Sequence, residues 1–184
     1  SGTPSFPTRR SSDLAFHLHN GQFRKQNRTP YIAHLMSVAA LVLESRGDED
    51  EAIAALLHDA VEDQGGCATL EEIENRFGDH VAEIVDAVTD AYVQPKPPWR
   101  ERKEDYLAHL RKANASVRLV SLADKLHNAR TIYRDLKQAG QDVVLYDRET
   151  FWDRFSGGKE GSLWYYQTLR EIFEATGDDR MTQE

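Results

Sequence analysis

Apolar residues recur along most of this chain at helical spacing, and turn-forming residues separate the runs. Ala15 to Asn20 reads as the end of a helix broken by Gly21. Tyr31 to Ser45 puts Ile32, Leu35, Met36, Ala39 and Val42 on one stripe, with Gly47 as its stop. Asp48 and Glu51 make a capping-box pattern, opening a helix that runs through Ile53 and Leu57 and the stretch HDAVED to Gly65. Thr69 and Glu72 repeat that pattern ahead of Ile73 and Phe77. Gly78 ends this helix, and Asp79 caps the next, which carries Val81, Ile84, Val85 and Val88. Ala91 to Pro98 reads AYVQPKPP, whose prolines forbid a regular helix and predict a loop at the lid or rim of a site. Helix returns from Trp99 to Lys112, then from a Ser116 cap to about Gln138 with Gly140 beyond it, and last from Ser162 to Ala175 after the SGGKEG turn. No alternating strand pattern and no internal repeat is present, so the expected fold class is an all-α helical bundle.

The length of 184 residues fits one domain with a sizeable core. Residues 1–14, SGTPSFPTRRSSDL, show no apolar periodicity and resemble translated adapter sequence. They are expected to be non-native or disordered, with the domain spanning residues 15–184. No run approaches the length of a membrane span and no secretory leader opens the chain, so the expectation is a cytoplasmic protein without membrane contact. The lone Cys67 in a Gly-Gly-Cys turn has no His or Asp at nucleophile spacing and is given no chemical role. A formal charge of −8 argues against nucleic-acid binding. The cations are nonetheless clustered, Arg24, Lys25 and Arg28 in one group and Lys96, Arg100, Arg102 and Lys103 in another. Such clusters are either solvated loop faces or a pocket for a small polyanion.

Chemistry concentrates in AALLHDAVEDQGG, where His58, Asp59, Glu62 and Asp63 follow the apolar stretch Ile53 to Leu57. On a continuous helix His58 stacks over Glu62 and Asp59 over Asp63. Three carboxylates and an imidazole so placed repel unless protons or a cation intervene, and a divalent metal is the simplest resolution. His34 and Asp124 also fall within apolar helical stretches. Each alone has an ordinary structural explanation: a satisfied core histidine, or a carboxylate capping a helix or pairing with Lys125 or Arg130. Two imidazoles and two carboxylates on three helices of one small domain instead make a mixed N/O set suited to Mn, Fe or Zn with open positions.

The order His34, His58-Asp59, Asp124 resembles the H…HD…D ligand set of the HD superfamily of metal-dependent phosphohydrolases. GQFRKQNRTPYIAH, LLHDAVED, FGDHVAEIVDAVTD and LVSLADKLHNAR further resemble successive motifs of the (p)ppGpp hydrolase domains of RelA/SpoT homologues and their small stand-alone relatives. That resemblance implies an HD-domain bundle holding Mn, or another divalent metal, on His34, His58, Asp59 and Asp124. It implies Glu62 and Asp63 as the catalytic pair, with Glu62 positioning or activating water and Asp63 polarising it or holding the metal-water network. Nucleotide contacts carry over to Arg24, Lys25, Lys125 and Asn128, and to Tyr165, while His127, Trp164 and Tyr166 are expected to be structural. The implied reaction removes the 3′-pyrophosphate of ppGpp or pppGpp, by a hydrolase without a synthetase domain, monomeric or homo-oligomeric. Two rivals are a phosphatase on another nucleotide such as NADPH, and a nucleotide-binding protein that has lost catalysis.

Overall fold

The computed structural model describes residues 9–24, 28–92, 95–138 and 151–177. In chain order the helices are α1 (Arg9–Leu18), α2 (Ile32–Glu44), α3 (Glu49–Leu57), α4 (Ala60–Asp63), α5 (Cys67–Phe77), α6 (Asp79–Val88), α7 (Trp99–Leu110), α8 (Ala115–Gln138) and α9 (Gly158–Ala175). A single 3₁₀ turn covers Phe151–Arg154. Among the described residues the only β feature is an isolated bridge between Phe23 and Pro30, so the all-α expectation holds. No described helix is long and apolar enough to cross a membrane.

The core forms where α2, α3, α6 and α8 pack on one another. Leu35, Val38 and Val42 of α2, Ala54 and Leu57 of α3, Ile84 and Val85 of α6, and Val120 and Ala123 of α8 are buried there. The short side chains of α3 (Ala52, Ala54, Ala55) let its neighbours approach closely, and this sets the residues just after α3 at the centre of the bundle. Its start is fixed as expected: Asp48 Oδ1 accepts from the Glu51 amide at 2.9 Å and Glu51 Oε2 from the Asp48 amide at 2.8 Å.

Several helix boundaries differ from the sequence reading, among them α6, where Asp79 is the first helical residue and Gly78 precedes it in place of an Asp79 cap. α1 begins at Arg9, and Ser11, Leu14 and Ala15 are buried, although two adjacent apolar residues at the end of a polar run show no period. α5 starts at Cys67, so Thr69 lies inside it and its hydroxyl donates to the Gln64 carbonyl instead of capping. Asn114, not Ser116, caps α8, its Oδ1 accepting from the Val117 amide at 2.9 Å. α9 begins at Gly158, which takes a φ of +58° that suits glycine, and Ser162 donates back to its carbonyl. The stop placed at Gly140 lies outside the described residues.

α7 and α9 are joined by Trp99, whose ring stands edge-on to Trp164 and Tyr165. Its indole fills a notch between Gly157 and Gly161, where a Cβ on Gly157 would come within 2.6 Å of the ring. We therefore expect Gly157→Ala to lower unfolding stability by about 1–3 kcal/mol, as over-packing does elsewhere. Urea denaturation checks this, with a shifted midpoint and unchanged slope as the expected result.

Candidate functional site

The helix read as continuous from Asp48 to Gly65 is broken at its functional centre. α3 ends at Leu57 and α4 starts at Ala60, with Asp59 at φ −98° and ψ −1°, in the bridge region where active-site residues often sit. His58 and Asp59 therefore turn toward each other, with His58 Nε2 3.0 Å from Asp59 Oδ2. His34 from α2 and Asp124 from α8 complete the group. Asp124 Oδ1 lies 3.2 Å from His34 Nε2 and 3.5 Å from His58 Nε2, and Asp59 Oδ2 is 3.7 Å from His34 Nε2. One ligand-capable atom each of His34, His58 and Asp59 falls within a 4.8 Å sphere of mutual distances.

Both Nε2 atoms are buried, and neither has a hydrogen-bond partner. Their opposite nitrogens explain why. His58 Nδ1 is 2.8 Å from the Ala55 carbonyl, which only an N–H can satisfy, so the lone pair of the neutral ring sits on Nε2. His34 Nδ1 is 2.7 Å from His127 Nδ1. Burial lowers the pKa of both rings, His127 to about 4, so both are neutral and one Nδ1 donates to the other; with the proton on His34 Nδ1, its Nε2 lone pair also faces inward. Burial also opposes protonation of His58, but Asp59 and Asp124 outweigh it and hold its pKa well above the usual value. Desolvation is likewise overcome at the carboxylates, where His58 keeps Asp59 ionised and Lys125 keeps Asp124 ionised. Two inward lone pairs and two ionised oxygens form a donor set that fits a divalent cation, with a proton on His58 meeting part of that demand otherwise.

Around this centre the carboxylates part company. Glu62 faces the proline-rich segment, where Lys96 Nζ is 2.5 Å from its Oε1 and the Asp90 amide donates to Oε2 at 3.3 Å. Asp63 faces the other way and accepts from Gln22 Nε2 at 2.9 Å. The stacking expected of a straight helix is thus replaced by separate partners for each carboxylate, and only Asp59 of the three joins the imidazoles. Gln22 is held in its turn by Gln64 and His19. Tyr31 donates to Asp59 Oδ2 at 2.5 Å and stacks on His19.

The centre opens into a cavity of about 310 Å³. Four cations line it beside the acidic centre: Arg24, Lys96, Lys103 and Lys125. Arg24 donates to Asn128 Oδ1 and Asn128 to Asp124 Oδ1, each at 2.6 Å, which ties Arg24 to the acidic centre. Lys125 pairs with Asp124 at 2.5 Å. Beyond Arg24, Lys103, Lys125 and Asn128 lies a second cavity of about 220 Å³ with Trp99, Tyr165 and Tyr166 on its wall. The buried Tyr165 hydroxyl has no partner there, and Lys103 Nζ lies 5.2 Å from the centre of its ring.

Most site residues picked from sequence therefore meet across these two cavities, and Lys25 lies outside the described residues. Tyr166, expected to pack, shares the aromatic wall with Tyr165. His127, expected to be structural, touches His34 directly. Tyr31, Gln22 and Asp90 were missed: each acts through a partner at least 28 residues away, and no local spacing signals such a bond. Arg100 leaves its cluster to stack on Trp164 at 3.3 Å, and Arg28 is exposed.

Comparison with known proteins adds a second line. The family described as HD domain matches residues 11–155. A mouse protein named guanosine-3′,5′-bis(diphosphate) 3′-pyrophosphohydrolase MESH1 is 38% identical over 171 residues, 91% of this chain and 93% of its own. Its counterpart in Xenopus tropicalis is 42% identical over 127 residues, covering 67% of this chain and 68% of its own. A solved structure described as a metazoan orthologue of SpoT that hydrolyses ppGpp superposes with a TM-score of 0.63 at 28% identity, covering 96% of this chain and 99% of the other.

Proposed function

The chain belongs to the HD domain family, and from that premise we propose that it is a metal-dependent (p)ppGpp 3′-pyrophosphohydrolase, releasing GDP or GTP and pyrophosphate. The observation that carries this reading is a cation-ready cluster of imidazoles and carboxylates beside four basic side chains in one cavity, in a chain whose similar relatives are named for that reaction. A cytoplasmic setting accords with a nucleotide substrate and a single cysteine.

In this proposal His34, His58, Asp59 and Asp124 hold the ion, with Mn²⁺ suited to their mixed N/O set. When bound, the ion supplies a water of lowered pKa and polarises a phosphoryl oxygen. Glu62 orients that water and takes its proton, and Asp63 fixes the water network from the opposite side. The water oxygen bonds to the phosphorus attached at O3′ while the O3′–P bond breaks, and O3′ takes up a proton in exchange for the one Glu62 accepted, leaving a 3′-hydroxyl and free pyrophosphate. Lys103, Lys125 and Arg24 meet the remaining phosphates, which holds the nucleotide in register with the centre. Asn128 aligns the nucleotide with the centre, and Tyr165 offers its ring and unpaired hydroxyl to the nucleoside.

Substrate comparison tests this against its rivals. With Mn-loaded protein, kcat/KM for ppGpp is expected to exceed that for NADPH by at least about tenfold, a difference of about 1.4 kcal/mol in transition-state binding. Phosphate release from NADPH alone would move the assignment to a 2′-phosphatase. Tight ppGpp binding without turnover would make the chain a nucleotide-binding protein.

A further inference from the structure

Three lysines line the main cavity, and each rests on a carboxylate: Lys125 on Asp124, Lys103 on Asp90 and Lys96 on Glu62. Two of the three are committed. Lys125 holds a residue of the proposed metal set, and both Lys103 and Lys125 are fixed on helices, against the Tyr106 ring among others. Asp90 in addition accepts from Arg102. Lys96 differs in every respect. It lies in the proline-rich segment before α7, where no helix fixes its backbone, and its only charged partner among the described residues is Glu62.

We propose that Lys96 is a substrate-contacting residue: it covers Glu62 in the free enzyme, then transfers to the 3′-pyrophosphate and accompanies it as it leaves. This rests on the phosphohydrolase reading above. Lys96 holds Oε1 in a 2.5 Å ion pair and takes one acceptor site on the side chain proposed to receive the water proton, while the Asp90 amide donates to Oε2. When Lys96 moves, the neutral amide bond stays, so the carboxylate is uncovered without being released. The same movement answers a charge problem. Glu62 and Asp63 put negative charge into the cavity that the strongly anionic pyrophosphate must enter and leave, and of the three lysines lining it Lys103 and Lys125 also line the second cavity while Lys96 does not. A flexible ammonium on a four-carbon stem is suited to follow a departing anion. Sequence clustering grouped Lys96 with Arg100, Arg102 and Lys103 without distinguishing it, yet among these four only Lys96 and Lys103 line the cavity.

The test compares wild type, Lys96→Met and Lys96→Arg, all metal-loaded. Inhibition by pyrophosphate and by GDP is measured separately, alongside KM and kcat for ppGpp and a calorimetric affinity for pyrophosphate. The expected result for Lys96→Met is a pyrophosphate inhibition constant raised about tenfold or more while that of GDP stays within about twofold, as for the loss of one charge-assisted contact. KM for ppGpp rises with it, and Lys96→Arg restores most of both. An unchanged pyrophosphate constant in a folded Lys96→Met protein would overturn the proposal, as would equal weakening of pyrophosphate and GDP. If wild type itself fails to turn over ppGpp, the functional reading fails, and calorimetric pyrophosphate affinity still decides the role of Lys96.

Discussion

Replacing His58 with alanine is expected to leave a folded helical protein whose ppGpp hydrolysis is slowed by about 10³-fold or more and whose bound metal falls well below one equivalent. The magnitude follows from an ion that contributes several kcal/mol to transition-state stabilisation, at about 1.4 kcal/mol per factor of ten. His58 is a cleaner choice than the other members of its cluster. Removing Asp124 would strand the Lys125 ammonium, and removing Asp59 would leave the Tyr31 hydroxyl unpaired, so either change disturbs folding for reasons unrelated to metal. Losing the His58 ring forfeits its hydrogen bond to the Ala55 carbonyl and its contact with Asp59, but both carboxylates keep another partner, Tyr31 on Asp59 and Lys125 on Asp124. Circular dichroism and metal analysis of the same preparation separate loss of the ion from loss of the fold. Activity within tenfold of wild type would remove His58 from the metal set.

The second large effect is expected at Glu62. Glu62→Gln should lower kcat by about 10²–10⁴-fold, the usual range for a general base, with metal content unchanged. The amide oxygen can still accept from the Asp90 amide, so the side chain keeps its place and loses its basicity. KM should change far less than kcat, because the interaction removed belongs to the transition state. Unequal metal content between variant and wild type would instead assign Glu62 to the metal set. The pair of results divides the run HDAVED into a part that holds the ion and a part that acts on water.

Helices were legible in this chain because their apolar stripes repeat over three or more turns, as in Ile32, Leu35, Ala39 and Val42. Starts were less so. The Asp48-Glu51 box forms, but the same pattern at Thr69 and Glu72 does not, since Thr69 finds the Gln64 carbonyl once the Gly65-Gly66 turn brings it near. The break at His58 and Asp59 has no local signal either, for both residues are compatible with a helix, and their contacts with His34 of α2 and Asp124 of α8 come from distant parts of the chain. As a result the four residues of the H…HD…D order were found together, while the divergence of Glu62 and Asp63 was not. Tyr165 came from resemblance alone, and Tyr166 beside it was set aside because one helix position does not reveal which face meets a cavity. Lys96 and Arg100 look alike in a charge count. They separate because α7 starts between them and carries Arg100 outward onto Trp164.

The central claim is that this cluster would hold a divalent ion supplying an activated water, which Glu62 aims at the phosphorus on O3′. It is tested most directly by incubating metal-free and Mn-loaded protein with ppGpp in ¹⁸O-water and resolving the products by anion exchange and mass spectrometry. The account predicts GDP and pyrophosphate in equal amounts from the Mn-loaded protein alone, with one ¹⁸O in the pyrophosphate and none in the GDP. Orthophosphate as the released product, label in the GDP, or equal turnover by the metal-free protein would contradict it.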